Sequence, residues 1–151
     1  MDVPVNRPLV VGVGRVGVAI TGLTPHLPDG GAAAELAELD VAPGPGVAVA
    51  ASAAIALGCH ARVVGAVGAD ALGGVVRQLI GRAGIDVEHL RPGGRSPVAV
   101  RVVSPQGSQG LLELVAGGAP PALALGPALD DADAVLVDAS DVPLAISAAE
   151  Y

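Results

Sequence analysis

Three glycines near the start of the chain have the spacing of a dinucleotide-binding turn. Gly12, Gly14 and Gly17 fall within the stretch LVVGVGRVGVAI and spell G-x-G-x-x-G. In such a turn the glycines let the backbone approach a pyrophosphate, which lies at the positive N-terminus of the helix that follows. An acidic residue further along binds a ribose hydroxyl, and Asp40 is the candidate here. The first chemistry that the spacing suggests is therefore binding of a dinucleotide.

The residues after these glycines do not favour that interpretation. Pro25 and Pro28 interrupt any helix after two turns at most, and a proline inside a helix costs about 3 kcal/mol. Glycine makes up 22 of the 151 residues, so this spacing arises easily by chance. The dinucleotide module is kept as one hypothesis, which a fluorescence titration with NADH would test.

Other side chains with catalytic or metal-binding chemistry are sparse. The three histidines lie far apart, and the single Cys59, which we expect to be a buried and unreactive thiol, excludes a disulfide within the chain. All eight basic residues are arginine, so the lysine of a Walker A loop or a Schiff base is missing. The acidic turn 130–133 offers too few ligands for calcium, so we expect it to be solvated. The sequence predicts no metal site.

The composition is that of a single folded domain. Hydrophobic residues make up 52% of the chain and charged residues 15%, and a core without Phe or Trp must be built from Ala, Val, Leu and Ile. The net charge of -7 disfavours binding to nucleic acid. The N-terminus has no signal-peptide pattern, and the uncharged stretch 47–59 is shorter than the about 20 residues that span a bilayer. We therefore expect a cytoplasmic protein.

The elements that would position these residues alternate between strands and helices. Apolar runs predict strands over 9–13, 62–67 and 134–138, and a second extended piece over 16–23. Residues 35–41 could form a short strand or a helical turn, and 42–46 a loop. Segments 97–103 and 111–115 flank the turn SPQGSQG and predict a hairpin. Helices are predicted over 47–57, 70–83 and 143–150. Asp70 is the expected N-cap of the second helix, and Gly58 and Gly84 lie at the C-terminal ends of the first two. Residues 85–90 are predicted to form a short extended link.

This alternation indicates an α/β fold with a mostly parallel central sheet. The hairpin and residues 16–41 are candidates for a small accessory β-layer.

Residues 44–90 resemble the PfkB, or ribokinase-like, family of sugar and nucleoside kinases. The family carries an Ala-rich helix ending in Leu-Gly, then V-G-x-V-G-x-D-x-x-G, then a helix ending in G-[VI]-D. The residues that match in register are Leu57-Gly58, Val64-Gly65, Val67-Gly68, Asp70, Gly73 and Gly84-Ile85-Asp86. The first strand, the hairpin and the last strand and helix extend the resemblance over nearly the whole chain. The resemblance implies a single ribokinase-like domain over 1–151, in which residues about 16–43 form a lid-like β segment. This domain would lack the C-terminal half of the family's fold.

The resemblance also implies a sugar-binding site, but this sequence has other residues where the family carries its sugar-binding Asn and Asp. The family's first strand carries Asn-x-Asp where this sequence has Arg15 and Gly17. Its Gly-Gly-x-x-x-Asn segment begins at Gly44, and the Asn falls on Val49. Valine cannot form a side-chain hydrogen bond, and a site that loses such partners discriminates poorly between polyols. Asp141 falls where some members place a substrate-binding acid, the alternative being a solvated helix cap.

Two further residues have a functional and a structural interpretation. Arg15 could bind an anion at the end of the first strand, or lie on the surface. Asp70 could approach the phosphate or magnesium region, although its role as a helix cap would suffice to explain it.

The resemblance implies phosphoryl transfer from ATP, with Mg²⁺, to a hydroxyl of a sugar-like molecule. The nucleotide site, the anion hole and the catalytic Asp of the family lie in its C-terminal half. The G-x-G-D motif that carries this Asp does not occur in the sequence. We therefore expect the substrate-side portion of a kinase, with no catalytic residue and no cofactor bound by this chain alone. The alternative is a non-catalytic protein that forms dimers through the lid β-layer. The expected partners are a second copy or a separate C-terminal half, and a sugar-like small molecule.

Overall fold

Two four-stranded sheets organise the chain. The structure, a computed structural model, describes residues 7–107, 109–114, 123, 125–138 and 142–151. The strands are β1 (Leu9–Val13), β2 (Val16–Leu23), β3 (Glu38–Gly46), β4 (His60–Val67), β5 (Leu90–Pro92), β6 (Val98–Val103), β7 (Gln109–Leu114) and β8 (Ala134–Val137). The helices are α1 (Val47–Ala56), α2 (Ala71–Arg82), α3 (Gly126–Leu129) and α4 (Val142–Ala149).

The first sheet, here called the central sheet, is parallel throughout. Its strand order is β5-β4-β1-β8. β1 pairs with β4 from Leu9 opposite His60 to Val13 opposite Val64, and with β8 from Val10 opposite Ala134. The valines of β1 and β4 make near-continuous apolar runs, as strands buried on both faces require.

The other sheet, here called the second sheet, has the order β3-β2-β6-β7. β2 pairs antiparallel with β3 and parallel with β6, and β6 forms the predicted hairpin with β7. The α/β fold class expected from the sequence is confirmed, because the central sheet is parallel and helices pack on it. The accompanying β-layer is larger than expected, since the second sheet also has four strands.

Two hydrophobic clusters lie on opposite faces of the central sheet. The larger one packs α1 and α2 against β4 and the start of β2, with Val16, Val63 and Ile80 fully buried. The smaller one places α3 and α4 against β1, around Val11 and Val13. Gly58 and Gly84, at the C-terminal ends of α1 and α2, adopt the positive φ angles of 86° and 80° that favour glycine.

Two elements differ from the sequence-based expectation. Residues 42–46 are not a loop, because β3 runs continuously from Glu38 to Gly46 along β2. Proline is tolerated there because β3 is an edge strand, and one side of it needs no N–H donor. The short helix α3 has no counterpart among the predicted elements. In the described part of the chain, no helix combines the length and apolarity needed to cross a membrane.

Candidate functional site

The carboxyl ends of the central strands bring together most of the predicted site residues. Open α/β sheets bind ligands at this end of the strands. The chain leaves β1 at Gly14 and Arg15, enters β2, and returns through β3 directly into α1. The backbone N–H of Val47 donates to the carbonyl of Arg15 at 3.1 Å, which fixes the start of α1 beside the end of β1.

A strand, not a helix, follows the glycines of the G-x-G-x-x-G stretch. Residues 16–23 form β2, and the neighbouring helix α1 begins only at Val47. Asp40 lies exposed on β3 opposite Thr21, in the second sheet. This arrangement differs from the strand–turn–helix unit on which a pyrophosphate lies.

Arg15 is half-buried, so it is less exposed than expected if it simply lay on the surface, the alternative to anion binding. Its Nε is buried and has no hydrogen-bond partner among the described residues. A buried guanidinium N–H without a partner loses its hydration and gains nothing in return. Arg15 therefore places a positive charge with an unsatisfied N–H at this end of the sheet.

Gly17 lies in a space that admits no side chain. It is buried, and a Cβ placed on it would lie 2.8 Å from the Cβ of Pro97 and 2.9 Å from the carbonyl oxygen of Gly44, besides meeting the carbonyl oxygen of Pro97. Real Cβ atoms do not approach backbone atoms this closely. The carboxylate that the family carries here therefore has no room at this position.

Gly44 and Val49 lie side by side where β3 leads into α1. A Cβ on Gly44 would be 3.5 Å from Cγ2 of Val49 and 3.2 Å from the Cβ of Ala19. Val49 is 55% exposed in the first turn of α1. It presents methyl groups where the family's asparagine would offer an amide, so this part of the site is apolar.

Asp138 is a site residue that the sequence did not single out. It follows β8, its backbone N–H donates to the carbonyl of Val13 at 2.9 Å, and its carboxylate lies against Gly46. Its Oδ2 would be 2.8 Å from a Cβ on Gly46. An acid directly after an apolar run predicted as a strand of the parallel sheet was the signal that could have found it. The run itself was expected to be buried, but β8 is exposed along its length. Asp141, the acid predicted instead, lies outside the described residues.

Asp70 has a fully occupied structural role. Its Oδ1 accepts from the backbone N–H of Gly73 at 3.0 Å and from the hydroxyl of Ser96 at 2.7 Å, and its Oδ2 accepts from the Ser96 N–H at 3.0 Å. The hydrogen bonds from Ser96 and then from Gly73 hold the pKa of Asp70 below its ordinary value. The carboxylate thus caps α2 and ties it to the segment that enters β6.

Replacing Asp70 by alanine is expected to lower Tm by about 2–4 °C at neutral pH. Because the folded-state pKa of Asp70 is depressed, its contribution is present above the ordinary Asp pKa and is lost as the pH falls through the folded value. Asp70→Asn is the matched control, since asparagine also caps helices but does not titrate. Thermal melts of wild type, Asp70→Ala and Asp70→Asn between neutral and acidic pH measure this difference in Tm. An Ala variant with the same Tm as wild type at neutral pH would contradict the role of Asp70 as a helix cap.

The other groups considered from the sequence are possible metal ligands, Cys59 and the acidic turn 130–133. Among the described residues, no three or more His, Cys, Asp or Glu side chains come together where they could hold a metal ion. Cys59 is a free, half-buried thiol that packs against the larger cluster. In the acidic turn, Asp131 pairs with Arg62, Asp133 accepts from the N–H of Leu9, and Asp130 accepts from Tyr151.

No protein-family model matches the sequence, and no curated protein matches it either. Solved structures do match. A 2-dehydro-3-deoxygluconokinase from Thermotoga maritima superposes with a TM-score of 0.71 at 18% identity, over 95% of this chain and 46% of its own. Ribokinase from Arabidopsis thaliana, solved with ribose and ATP, gives a TM-score of 0.66 at 23% identity, over 87% of this chain and 45% of its own.

The chain has a ribokinase-like fold. Fructokinase from Xylella fastidiosa extends the similarity, with a TM-score of 0.65 at 16% identity over 87% of this chain and 41% of its own. At these identities the likeness shows the fold alone. The chain spans about half the length of each of these ribokinase-like structures.

Proposed function

We propose that this chain is the substrate-side half of a ribokinase-like kinase that transfers the γ-phosphate of ATP to a hydroxyl of a sugar-like molecule. The nucleotide, the magnesium ion and the catalytic base would come with the other half of the fold. Because phosphoryl transfer depends on positioning and charge stabilisation, the chain alone is expected to be inactive.

One observation carries this proposal. The positions that the sequence resemblance assigns to substrate, at Arg15, Gly17, Gly44 and Val49, lie together at the carboxyl ends of the central strands. The neighbours that share this fold include a ribokinase solved with ribose and ATP. The candidate site offers fewer hydrogen-bond partners to a sugar than the family pattern does, because Val49 is apolar and Gly17 has no room for a carboxylate.

A thermal-shift screen tests the proposal on the chain as it is. A sugar, sugar acid or nucleoside at about 100 times its Kd is expected to stabilise the chain by about 2.7 kcal/mol, which raises Tm by about 5–10 °C. Arg15→Ala is expected to abolish the shift, whereas Arg95→Ala, a change at an exposed arginine, is expected to preserve it. If none of these compounds shifts the transition at about 50 mM, the chain is not a substrate-side half.

A second candidate function is a stand-alone protein that assembles into dimers through the second sheet. Val41, Ile20, Val100 and Leu112 form one row across its four strands, because each is paired directly with the next. The exposed fractions are 39% for Val41, 73% for Leu112 and 60% for Leu39 on the neighbouring row. Apolar patches of this kind mark interaction surfaces.

This second candidate predicts a dimer in light scattering. Leu112→Lys is expected to convert the dimer to monomer, because it places a charge at the most exposed end of the apolar row, on the edge strand β7. Leu57→Lys, at a residue 84% exposed at the end of α1, is the control and should leave the mass unchanged. A wild-type chain that is monomeric at all concentrations would argue against this function.

A further inference from the structure

Three of the eight arginines are half-buried, and they differ in how their charges are matched. They are Arg15, Arg62 and Arg77, whereas the other five are exposed. Arg62 pairs with two aspartates and donates to a backbone carbonyl, and Arg77 donates to two backbone carbonyls. Arg15 has no ion pair with any described residue, and its buried Nε has no hydrogen-bond partner among them. Arg15 is thus a half-buried cation whose partner the described part of the chain does not supply.

An anion would supply this partner. A guanidinium carries five N–H donors and no acceptor, so only acceptors satisfy it, and charged oxygens do so most strongly. The Nε of Arg15 is already shielded from water in the folded chain. Binding of an anion there gains a charge-assisted hydrogen bond without first removing water from this N–H.

Both departures from the family's first-strand pattern make this end of the sheet more positive. Arg15 stands where the family carries Asn, and Gly17 stands where it carries Asp, so each departure raises the formal charge by one. The carboxylate has no room at Gly17, because a Cβ there would meet backbone oxygens of Pro97 and Gly44. A substrate that carries its own negative charge fits this change better than a neutral sugar does.

The surroundings of Arg15 favour a singly charged anion that also carries hydroxyls. Arg15 and Asp138 both lie against Gly46, because a Cβ on this glycine would meet the carbonyl oxygen of Arg15 and lie 2.8 Å from Oδ2 of Asp138. A carboxylate has about four lone-pair sites, so Asp138 can accept from a hydroxyl in addition to its interactions within the chain. Asp138 repels a phosphate dianion more strongly than a carboxylate, because the repulsion grows with the charge of the ligand.

We infer that this end of the sheet binds a sugar acid, whose carboxylate pairs with the guanidinium of Arg15 and whose hydroxyl donates to Asp138. This inference rests on the proposed function and adds the substrate class to it. Arginine pairs with a carboxylate through two parallel N–H donors, which fixes the orientation of the acid as well as matching its charge. A neutral sugar of the same shape would leave Arg15 unpaired.

Matched ligand pairs test the inference on the full chain. D-Gluconate is compared with D-glucitol, D-xylonate with xylitol and D-glucuronate with D-glucose, because each pair differs only by a carboxylate in place of a hydroxymethyl group. D-Glucose 6-phosphate is the phosphate probe. Isothermal titration calorimetry measures Kd, and at least one acid is expected to bind about 10- to 100-fold more tightly than its neutral counterpart.

Arg15→Met separates ligand binding from stability. Methionine keeps an unbranched apolar stem but has no N–H, so removal of the unpartnered donor is expected to leave the Tm without ligand unchanged or higher. The preference for the acid over its neutral counterpart should disappear. Arg15→Lys is the second variant, since it keeps the charge without the paired donors and should retain only part of the preference. Arg82→Met, at the exposed end of α2, is the control and should bind like wild type.

Neutral sugars that bind as tightly as the acids would overturn the inference but leave the proposed function standing. A phosphate probe that binds more tightly than every acid, or a preference for the acid that persists in Arg15→Met, would do the same. Where Arg15→Met does not fold, an acid affinity of Arg15→Lys equal to that of wild type overturns the inference instead. The absence of binding by all of these compounds would overturn both the inference and the proposed function.

Discussion

Replacing Gly17 by alanine is expected to destabilise the chain by roughly 3 kcal/mol and to lower Tm by about 6–12 °C. The added Cβ would meet the carbonyl oxygens of Pro97 and Gly44, which belong to the backbone and cannot rotate away as a side chain can. The segments that carry them are held by neighbouring pairings, since the carbonyl of Pro97 accepts from Val18 at 3.0 Å. Urea or thermal unfolding measures the effect.

Gly81→Ala is the matched control for this substitution. Gly81 lies in α2, and a Cβ on it would meet no atom within 4 Å. The alanine there is expected to stabilise the chain by about 0.5–1 kcal/mol, because it restricts the unfolded backbone and favours the helix. Equal stability of the two variants would show that the space around Gly17 is not closed.

This steric closure also bears on the substrate. Gly17→Asp would reintroduce the family's carboxylate by sequence, but it should unfold the chain at least as much as alanine does, without creating a polyol site. Arg15 and Asp138 are two of the polar residues at the carboxyl ends of the strands, and Asp70 and Ser96 lie beyond the end of β4.

The sequence predicted those elements whose signals are local. Asp70 was correctly assigned as the cap of α2, and the apolar runs of β1, β4 and β8 were correctly assigned as strands. β3 was only partly predicted, because its prolines and glycines normally break strands. It forms because β2 provides a long antiparallel partner, and such pairing depends on residues far away in the sequence.

The shape of the candidate site could not be predicted from the sequence. A resemblance assigns Gly17 and Gly44 to one place, but only the folded chain shows that Pro97 fills the space beside Gly17. Asp138 was missed for a related reason, since an acid after a strand is common in ordinary turns. Its importance comes from the neighbouring Gly46, which enters from the second sheet.

Arg62→Met is expected to destabilise the chain by about 1 kcal/mol, because Arg62 joins three segments with one side chain. Its Nε lies 2.9 Å from Oδ2 of Asp86, and its Nη1 donates to Asp131 at 2.7 Å and to the carbonyl of Ala128 at 2.8 Å. The Arg62 side chain is only 15% exposed, but the side chains of Asp86 and Asp131 are 38% and 65% exposed, so water partly replaces Arg62 at these carboxylates once it is removed. Arg95→Met, an exposed arginine without an ion pair to any described residue, should change stability by less than about 0.5 kcal/mol.

The pH dependence separates the ionic role of Arg62 from simple packing. Burial raises the pKa of Asp86, but the hydrogen bonds from Glu88 and Arg62 outweigh it, so this pKa lies below its ordinary value. The hydrogen bond from Arg62 likewise lowers the pKa of Asp131. Both acids therefore stabilise the fold above the ordinary Asp pKa of about 3.9, and this contribution is lost as the pH falls through their folded values. The difference in urea midpoint between wild type and Arg62→Met should be full at pH 7 and shrink in acid. A difference that stayed constant with pH would assign the effect to packing of the arginine stem instead.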